Sequence, residues 1–213
     1  MTEFYRPGPS GSRQVLVYLH GHGSAPDLVH PFFRQHHDDG WVRLCPRGPL
    51  PTDGGWSWFD SGPRGVDRAG LDASVARVRT LVEATTGDLG ATWSDVVVAG
   101  FSQGASLALG VAAALGADGV TIGGLLVQAG FAPEVFGDEV DLGTVRARSV
   151  LVQHGESDEV VPSFMAGDLG ASIGASSGAV DGIEVQLLPG GHTLSPAMLD
   201  AARRWLAGEP DEA

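Results

Sequence analysis

Gly100-Phe101-Ser102-Gln103-Gly104 stands between an apolar run, Val96-Val97-Val98-Ala99, and the Ala/Leu-rich stretch from Gln103 to Leu115. A strand, then Gly-x-Ser-x-Gly, then a helix is the setting of a nucleophile elbow. The turn is so sharp that the residues flanking the serine must lack bulk, and Gly100 and Gly104 meet that demand. Ser102 would then sit at the tip with its hydroxyl exposed over a helix N-terminus. The plainer alternative is a glycine-rich turn with an idle serine. A serine hydroxyl is a poor nucleophile near neutral pH, so it needs a base, and the base needs an orienting carboxylate.

In an elbow fold the chain order is Ser, acid, His. Only two histidines follow Ser102, namely His154 and His192. His154 ends an apolar run directly before Gly155. His192 lies in Pro189-Gly190-Gly191-His192-Thr193, a loop able to swing an imidazole over a sheet edge, so His192 is the candidate base. The stretch Gly155-Glu156-Ser157-Asp158-Glu159-Val160-Val161-Pro162 offers three carboxylates, and spacing alone does not separate them. Asp158 is mid-loop with an apolar pair after it to anchor the turn. An oxyanion hole completes the set. One donor is the backbone N–H of the residue after the nucleophile, here Gln103. The other is expected from a glycine-rich loop after an early strand, and Leu19-His20-Gly21-His22-Gly23-Ser24 is such a loop, its glycines letting the backbone approach a substrate oxygen.

These residues need a scaffold that gathers them. Val15–Leu19, Trp41–Cys45, Asp95–Ala99, Gly124–Gln128, Ser149–His154 and Ile183–Leu188 read as strands, several of them apolar on consecutive positions as when both faces are covered. Helical patterns lie between them. Leu71, Val75, Val78 and Val82 share one helix face. Gln103–Leu115 has good helix propensity. Phe164, Leu169 and Ile173 mark a weaker helix after Pro162, and Met198, Ala202 and Trp205 a last one. Alternating strands and helices predict an α/β fold with a mostly parallel sheet and helices on both faces, within one domain spanning residues 1–213. Ligands in such sheets bind beyond the carboxyl ends of the strands, where the candidate residues fall. The segment Pro46–Arg68 breaks the alternation with Pro, Gly and Trp and is too long for an ordinary turn. Its Trp56, Trp58 and Phe59 either line an apolar pocket or pin the loop, and both roles are compatible.

The bulk numbers narrow the class. Of 213 residues, 43% are hydrophobic and 18% charged, a globular composition. Net charge is −13 with only 13 Lys and Arg, so nucleic acid is not an expected partner. The N-terminus lacks the apolar stretch of a signal peptide, and Ala105–Ala117 is too short to span a bilayer, so no stable membrane insertion and a cytoplasmic location are expected. The single Cys45 excludes an internal disulfide; it reads as a strand-end residue, with a catalytic cysteine as the sharper alternative.

In this set of motifs the chain resembles the carboxylesterase/phospholipase family of α/β-hydrolases, which includes bacterial carboxylesterases and acyl-protein thioesterases. The resemblance covers nearly the whole chain. It rests on Leu19-His20-Gly21-x-Gly23, Trp58-Phe59-Asp60, Gly100-Phe101-Ser102-Gln103-Gly104, His154-Gly155-x-x-Asp158 with Val161-Pro162, and Gly191-His192, in the family's order. It implies Ser102, Asp158 and His192 as a catalytic triad, oxyanion donors from the backbone of His22 and Gln103, an acyl groove near Trp58 and Phe59, and no large cap. Two positions depart from the family pattern: His22 stands where leucine is usual, and Ala105 where glycine is usual.

The leading expectation is a serine esterase for short- to medium-chain acyl esters, with thioesters and lysophospholipids as further substrate classes, no cofactor and no metal, and a monomer or dimer. Two other classes compete. A ligand-binding protein on the same fold would have no need of three matched groups. A metal hydrolase would use His20 and His22 with ligands from His30, His36, His37, Asp38 and Asp39, but no spacing among them matches a metal motif.

Overall fold

In the computed structural model, residues 4–6, 11–26, 40–62, 65–135, 138–175 and 179–209 are described. Seven strands make the main sheet: β1 (Phe4–Arg6), β2 (Gln14–Leu19), β3 (Trp41–Cys45), β4 (Val96–Phe101), β5 (Gly124–Gln128), β6 (Val150–Gly155) and β7 (Ile183–Leu188). Their order is β1-β3-β2-β4-β5-β6-β7. All neighbours run parallel except β1, which pairs antiparallel with β3 at the edge. Every position of β3, β5 and β6 is buried, which explains why apolar residues stand on both faces of these strands, with Arg43, Gln128, Gln153 and His154 as buried polar exceptions.

Among the described residues four helices pack on this sheet: α1 (Arg68–Leu89), α2 (Gln103–Ala117), α3 (Met165–Gly174) and α4 (Pro196–Ala207). Alternate strand residues divide the core between the two faces. Val15, Val17 and Leu19 join Leu71, Val78, Leu107, Val111, Leu169 and Ile173, so α1, α2 and α3 cover one face. Leu16, Tyr18, Val97, Leu126 and Leu151 join Ala202 of α4 on the other. The helix ends are written in the sequence. The Asp67 side chain accepts from Gly70 N–H and Gly90 closes α1 at φ 61°. Ser195 caps α4 ahead of Pro196, and Gly208 closes it at φ 70°.

The element boundaries differ from the sequence reading by a residue or two at several ends, and more tellingly around β4, α3 and the segment after Pro46. β4 starts at Val96 and runs on to Phe101, because Gly100 pairs with Leu19 and Val127, and Phe101 with Gln128. Asp95 instead ends a short 3-10 turn, Trp93–Asp95, with a capping box at Thr92. Phe164 precedes α3 rather than packing within it and is 66% exposed. The segment after Pro46 is not structureless. Leu50–Thr52 pairs with Gly55–Ser57, and Ser61–Gly62 and Gly65–Val66 join Glu134–Val135 and Asp138–Glu139 in a small antiparallel ribbon. That ribbon ties the loop after β3 to the loop after β5, beyond the carboxyl ends of the strands. No helix among the described residues is long and apolar enough to cross a membrane.

Candidate active site

Ser102 occupies the turn between β4 and α2 with φ 54° and ψ −120°, a conformation that a non-glycine residue adopts only under constraint. The constraint is visible on both sides. A Cβ at Gly100 would overlap the Gly104 carbonyl, and a Cβ at Gly104 would overlap the backbone of Leu19 and His20. Ser102 N–H donates to Gln128 O at 2.9 Å, which fastens the turn to the end of β5. Gln103 is the first residue of α2, so its N–H has no acceptor within the helix.

The other two groups arrive from neighbouring strands. Ser102 Oγ lies 2.9 Å from His192 Nε2, and His192 Nδ1 lies 2.8 Å from Asp158 Oδ2. Because Nδ1 faces a carboxylate it carries the proton, leaving the Nε2 lone pair for the serine O–H. The loops bearing Asp158 and His192 are laced together: Glu156 N–H donates to Leu188 O and Ser157 N–H to Gly190 O, both at 2.9 Å. Gly155 is required at this crossing, since a Cβ there would overlap the Gly190 and Gly191 carbonyls. The His192 ring also rests 4.9 Å, centroid to centroid, from Phe101.

Of the three carboxylates in the loop, Glu156 and Glu159 are exposed and Asp158 is buried. Burial alone would raise the Asp158 carboxyl. Hydrogen bonds from Val161 N–H, His192 and Val160 N–H outweigh it and hold the group below its ordinary value, so it is ionised near neutrality.

His20 and His22 have separate, non-metal partners. His20 is buried, its Nε2 accepts from Gly48 N–H at 3.0 Å, and its Nδ1 therefore donates to Gly21 O at 2.8 Å. His22 Nδ1 lies 3.0 Å from Ser57 Oγ, which itself donates to Gln103 Oε1 at 2.9 Å. The same Gln103 side chain accepts from Trp58 N–H at 3.0 Å and donates to Phe59 O at 2.7 Å. This clasp between the elbow and the 57–59 segment is not readable from residue spacing. Among the described residues no three His, Cys, Asp or Glu side chains converge as metal ligands, while His30, His36, His37, Asp38 and Asp39 lie outside the described residues. Cys45 is buried in the core, where loss of solvation pushes its thiol well up and away from the reactive thiolate.

A groove of about 1000 Å³ opens over Ser102, His22 and Gln103. Its apolar wall comes from Phe131 and Leu142 in the segment after β5 and from Met165 and Leu169 of α3. The expectation that Trp58 and Phe59 line this groove needs correction. Both are 0% exposed in the core. Trp58 is spent on packing: its Nε1–H donates to His20 O at 2.8 Å, and its carbonyl accepts from Ser74 Oγ at 2.6 Å. A large indole with an internal acceptor for its N–H gains more from the core than from a wet groove. The residues that do line the wall gave no signal, because apolar positions after a strand and on a helix read as ordinary core.

No curated protein sequence matches the chain. Solved structures do, and at their low identities they speak for the fold. Esterase PE8 is 22% identical over 98% of this chain and 98% of its own, with a TM-score of 0.77. The Bacillus cereus carboxylesterase is 19% identical over 97% of this chain and 93% of its own, with a TM-score of 0.78. SOBER1 of Arabidopsis thaliana is 22% identical over 92% of this chain and 98% of its own, with a TM-score of 0.74. Residues 6–208, nearly the full length, match the family model described as phospholipase/carboxylesterase, and the chain belongs to that family of α/β-hydrolases.

Proposed function

We propose that the protein hydrolyses short- to medium-chain carboxylic esters through an acyl-enzyme on Ser102, with His192 as base and Asp158 as its orienting acid. The observation that carries this reading is the unbroken line from Ser102 Oγ to His192 Nε2 at 2.9 Å and from His192 Nδ1 to Asp158 Oδ2 at 2.8 Å, at the floor of an open groove.

His192 Nε2 takes the serine proton as Oγ attacks the ester carbonyl. The tetrahedral oxyanion is met by backbone N–H donors of Gln103, at the start of α2, and of His22 in the loop after β2. Collapse breaks the bond to the alcohol, which leaves with the proton from His192 Nε2. Water then attacks the acyl-enzyme, gives its proton to His192 and releases the acid while Ser102 Oγ recovers its hydrogen. Throughout, Asp158 stabilises the transient imidazolium without taking its proton. Thioester and lysophospholipid carbonyls are open to the same chemistry, and the groove rather than the triad discriminates among them.

The test is a fluorophosphonate probe followed by peptide mapping, with ester turnover measured in parallel. Labelling on Ser102, lost in Ser102→Ala together with turnover, is the expected result. Labelling or turnover that survives in Ser102→Ala overturns the assignment.

A further inference from the structure

We propose that His154 is a positioning residue for the acid of the triad, holding the Asp158 turn through its hydrogen bond to the Val161 carbonyl while its Nε2–H stands beside Asp158 Oδ2. The inference rests on the triad reading above.

His154 is the next-to-last residue of β6, and its side chain is wholly buried. Its Nε2 lies 2.9 Å from Val161 O and 3.2 Å from Asp158 Oδ2. Both neighbours are acceptors, so Nε2 carries the hydrogen, donates it to Val161 O and stands beside the Asp158 carboxylate oxygen. The opposite nitrogen, Nδ1, is buried with no hydrogen-bond partner among the described residues. A proton there would be a buried donor with nothing to accept it, which folded proteins avoid. The ring therefore carries its hydrogen on Nε2, and among the described residues its polar contacts are directed at the Asp158 loop. An apolar side chain would fill this space without leaving a bare nitrogen, so the Nε2–H group is what distinguishes histidine here.

The effect falls on Asp158. Its Oδ1 accepts from Val160 N–H at 2.9 Å and Val161 N–H at 2.8 Å. Its Oδ2 accepts from His192 at 2.8 Å and also faces His154. Val161 is tied twice, through its N–H to Asp158 and through its C=O to His154. The turn from 158 to 161 thus closes on the end of β6, and the carboxylate is blocked from rotating away from His192. The Nε2–H dipole beside Oδ2 also offsets part of the charge that Asp158 offers to an imidazolium formed on His192 during turnover.

The experiment compares His154→Leu, which removes the donor, with His154→Gln, whose amide nitrogen reaches the place of Nε2. In His154→Leu, kcat should fall roughly 10- to 100-fold with little change in KM, the range expected for one hydrogen bond to a charged group. The acid limb of kcat/KM should move to higher pH. His154→Gln should recover most of both. A His154→Leu variant that melts like the parent and keeps its kcat and acid limb overturns the proposal. So does an equal loss in both variants with the acid limb unmoved. Ring 15N NMR on the parent protein is independent of whether either variant folds: a protonated Nε2 with a bare Nδ1 is expected, and the Nδ1–H tautomer would overturn the assignment. Full activity in Asp158→Asn would instead sink the triad reading, whereas an inactive Asp158→Asn beside an unaffected His154→Leu would sink only the role of His154.

Discussion

Gly104, the second residue of α2, is pressed against the carbonyl of Leu19 at the end of β2, so the Ser102 turn and the loop after β2 share one backbone contact. The contact leaves no space for a side chain, and a backbone oxygen in a buried strand end has nowhere to move. Gly104→Ala should therefore lose stability by roughly 1–3 kcal/mol, the usual range for overpacking, with the upper end expected. Activity should fall beyond what stability explains, because the displaced helix start carries the Gln103 N–H. Urea unfolding and ester turnover on the folded fraction measure the two effects. An unchanged midpoint would show that the turn is looser than this geometry.

Asp158 differs from Glu156 and Glu159 in burial and in partners. Asp158→Asn should lower kcat by about 10⁴, the loss seen when the orienting acid of a serine triad becomes an amide. Glu156→Gln and Glu159→Gln, both at exposed positions, should stay within about twofold of the parent. Steady-state kinetics of the three variants settle the ranking, and a larger loss at either glutamate would reverse it.

The glycine-flanked turn at Ser102, the loop bearing His192 and the parallel sheet were legible in the sequence because each leaves a local mark. A strand-to-helix turn needs Gly100 and Gly104, and strands buried on both faces read as Val/Leu runs. Asp158 was singled out only through the family pattern, since three carboxylates within four residues look alike until burial separates them. Trp58 and Phe59 show the converse limit. An aromatic cluster in a loop signals apolar burial, but the burial serves a pocket or the core according to where the chain later folds. The Ser57–Gln103 clasp and the place of His154 beside Asp158 depend on contacts between distant segments, which one-dimensional spacing does not encode.

His22 replaces a family leucine, and its imidazole is exposed while touching Ser57. Loss of that ring leaves Ser57 bonded to Gln103, so His22→Leu should keep kcat within about threefold and change mainly KM. His22→Pro removes the backbone donor and should lower kcat by roughly 10²–10³. Circular dichroism must show a folded His22→Pro before its loss is read as chemistry. Near-complete inactivation of His22→Leu would show that the imidazole itself takes part.

His20 predicts a pH dependence of stability. Burial lowers its pKa below the ordinary value, and the bond to the Gly21 carbonyl only partly offsets this. As pH falls, the unfolded chain therefore takes up the proton before the folded protein does. The stabilisation is complete above about pH 6.5 and is lost as pH drops toward the folded value. Urea midpoints should fall between about pH 7.5 and pH 5.5. His20→Gln, which keeps an acceptor for Gly48 N–H and does not titrate, should flatten that slope. An equally steep slope in the variant would place the titrating group elsewhere.

The groove wall makes a last prediction about acyl length. Met165 and Leu169 of α3 and Leu142 line the space above Ser102, while Trp58 lies wholly beneath it. Enlarging the wall should shorten the accepted chain. Met165→Trp should lower kcat/KM for long-chain p-nitrophenyl esters roughly tenfold or more and leave the acetate and butyrate esters close to the parent, since one excluded or clashing methylene group in a hydrophobic pocket is worth about 1–3 kcal/mol. Trp58→Ala should behave differently. It empties a core site, so about 3–5 kcal/mol of stability should be lost. On the fraction that remains folded, all chain lengths should decline together, because the Trp58 indole Nε1–H no longer braces the His20 carbonyl in the loop after β2. The reverse pattern, with Trp58→Ala altering chain-length preference and Met165→Trp indifferent to it, would move the acyl group to the other side of Ser102 and require a groove that opens toward the indole.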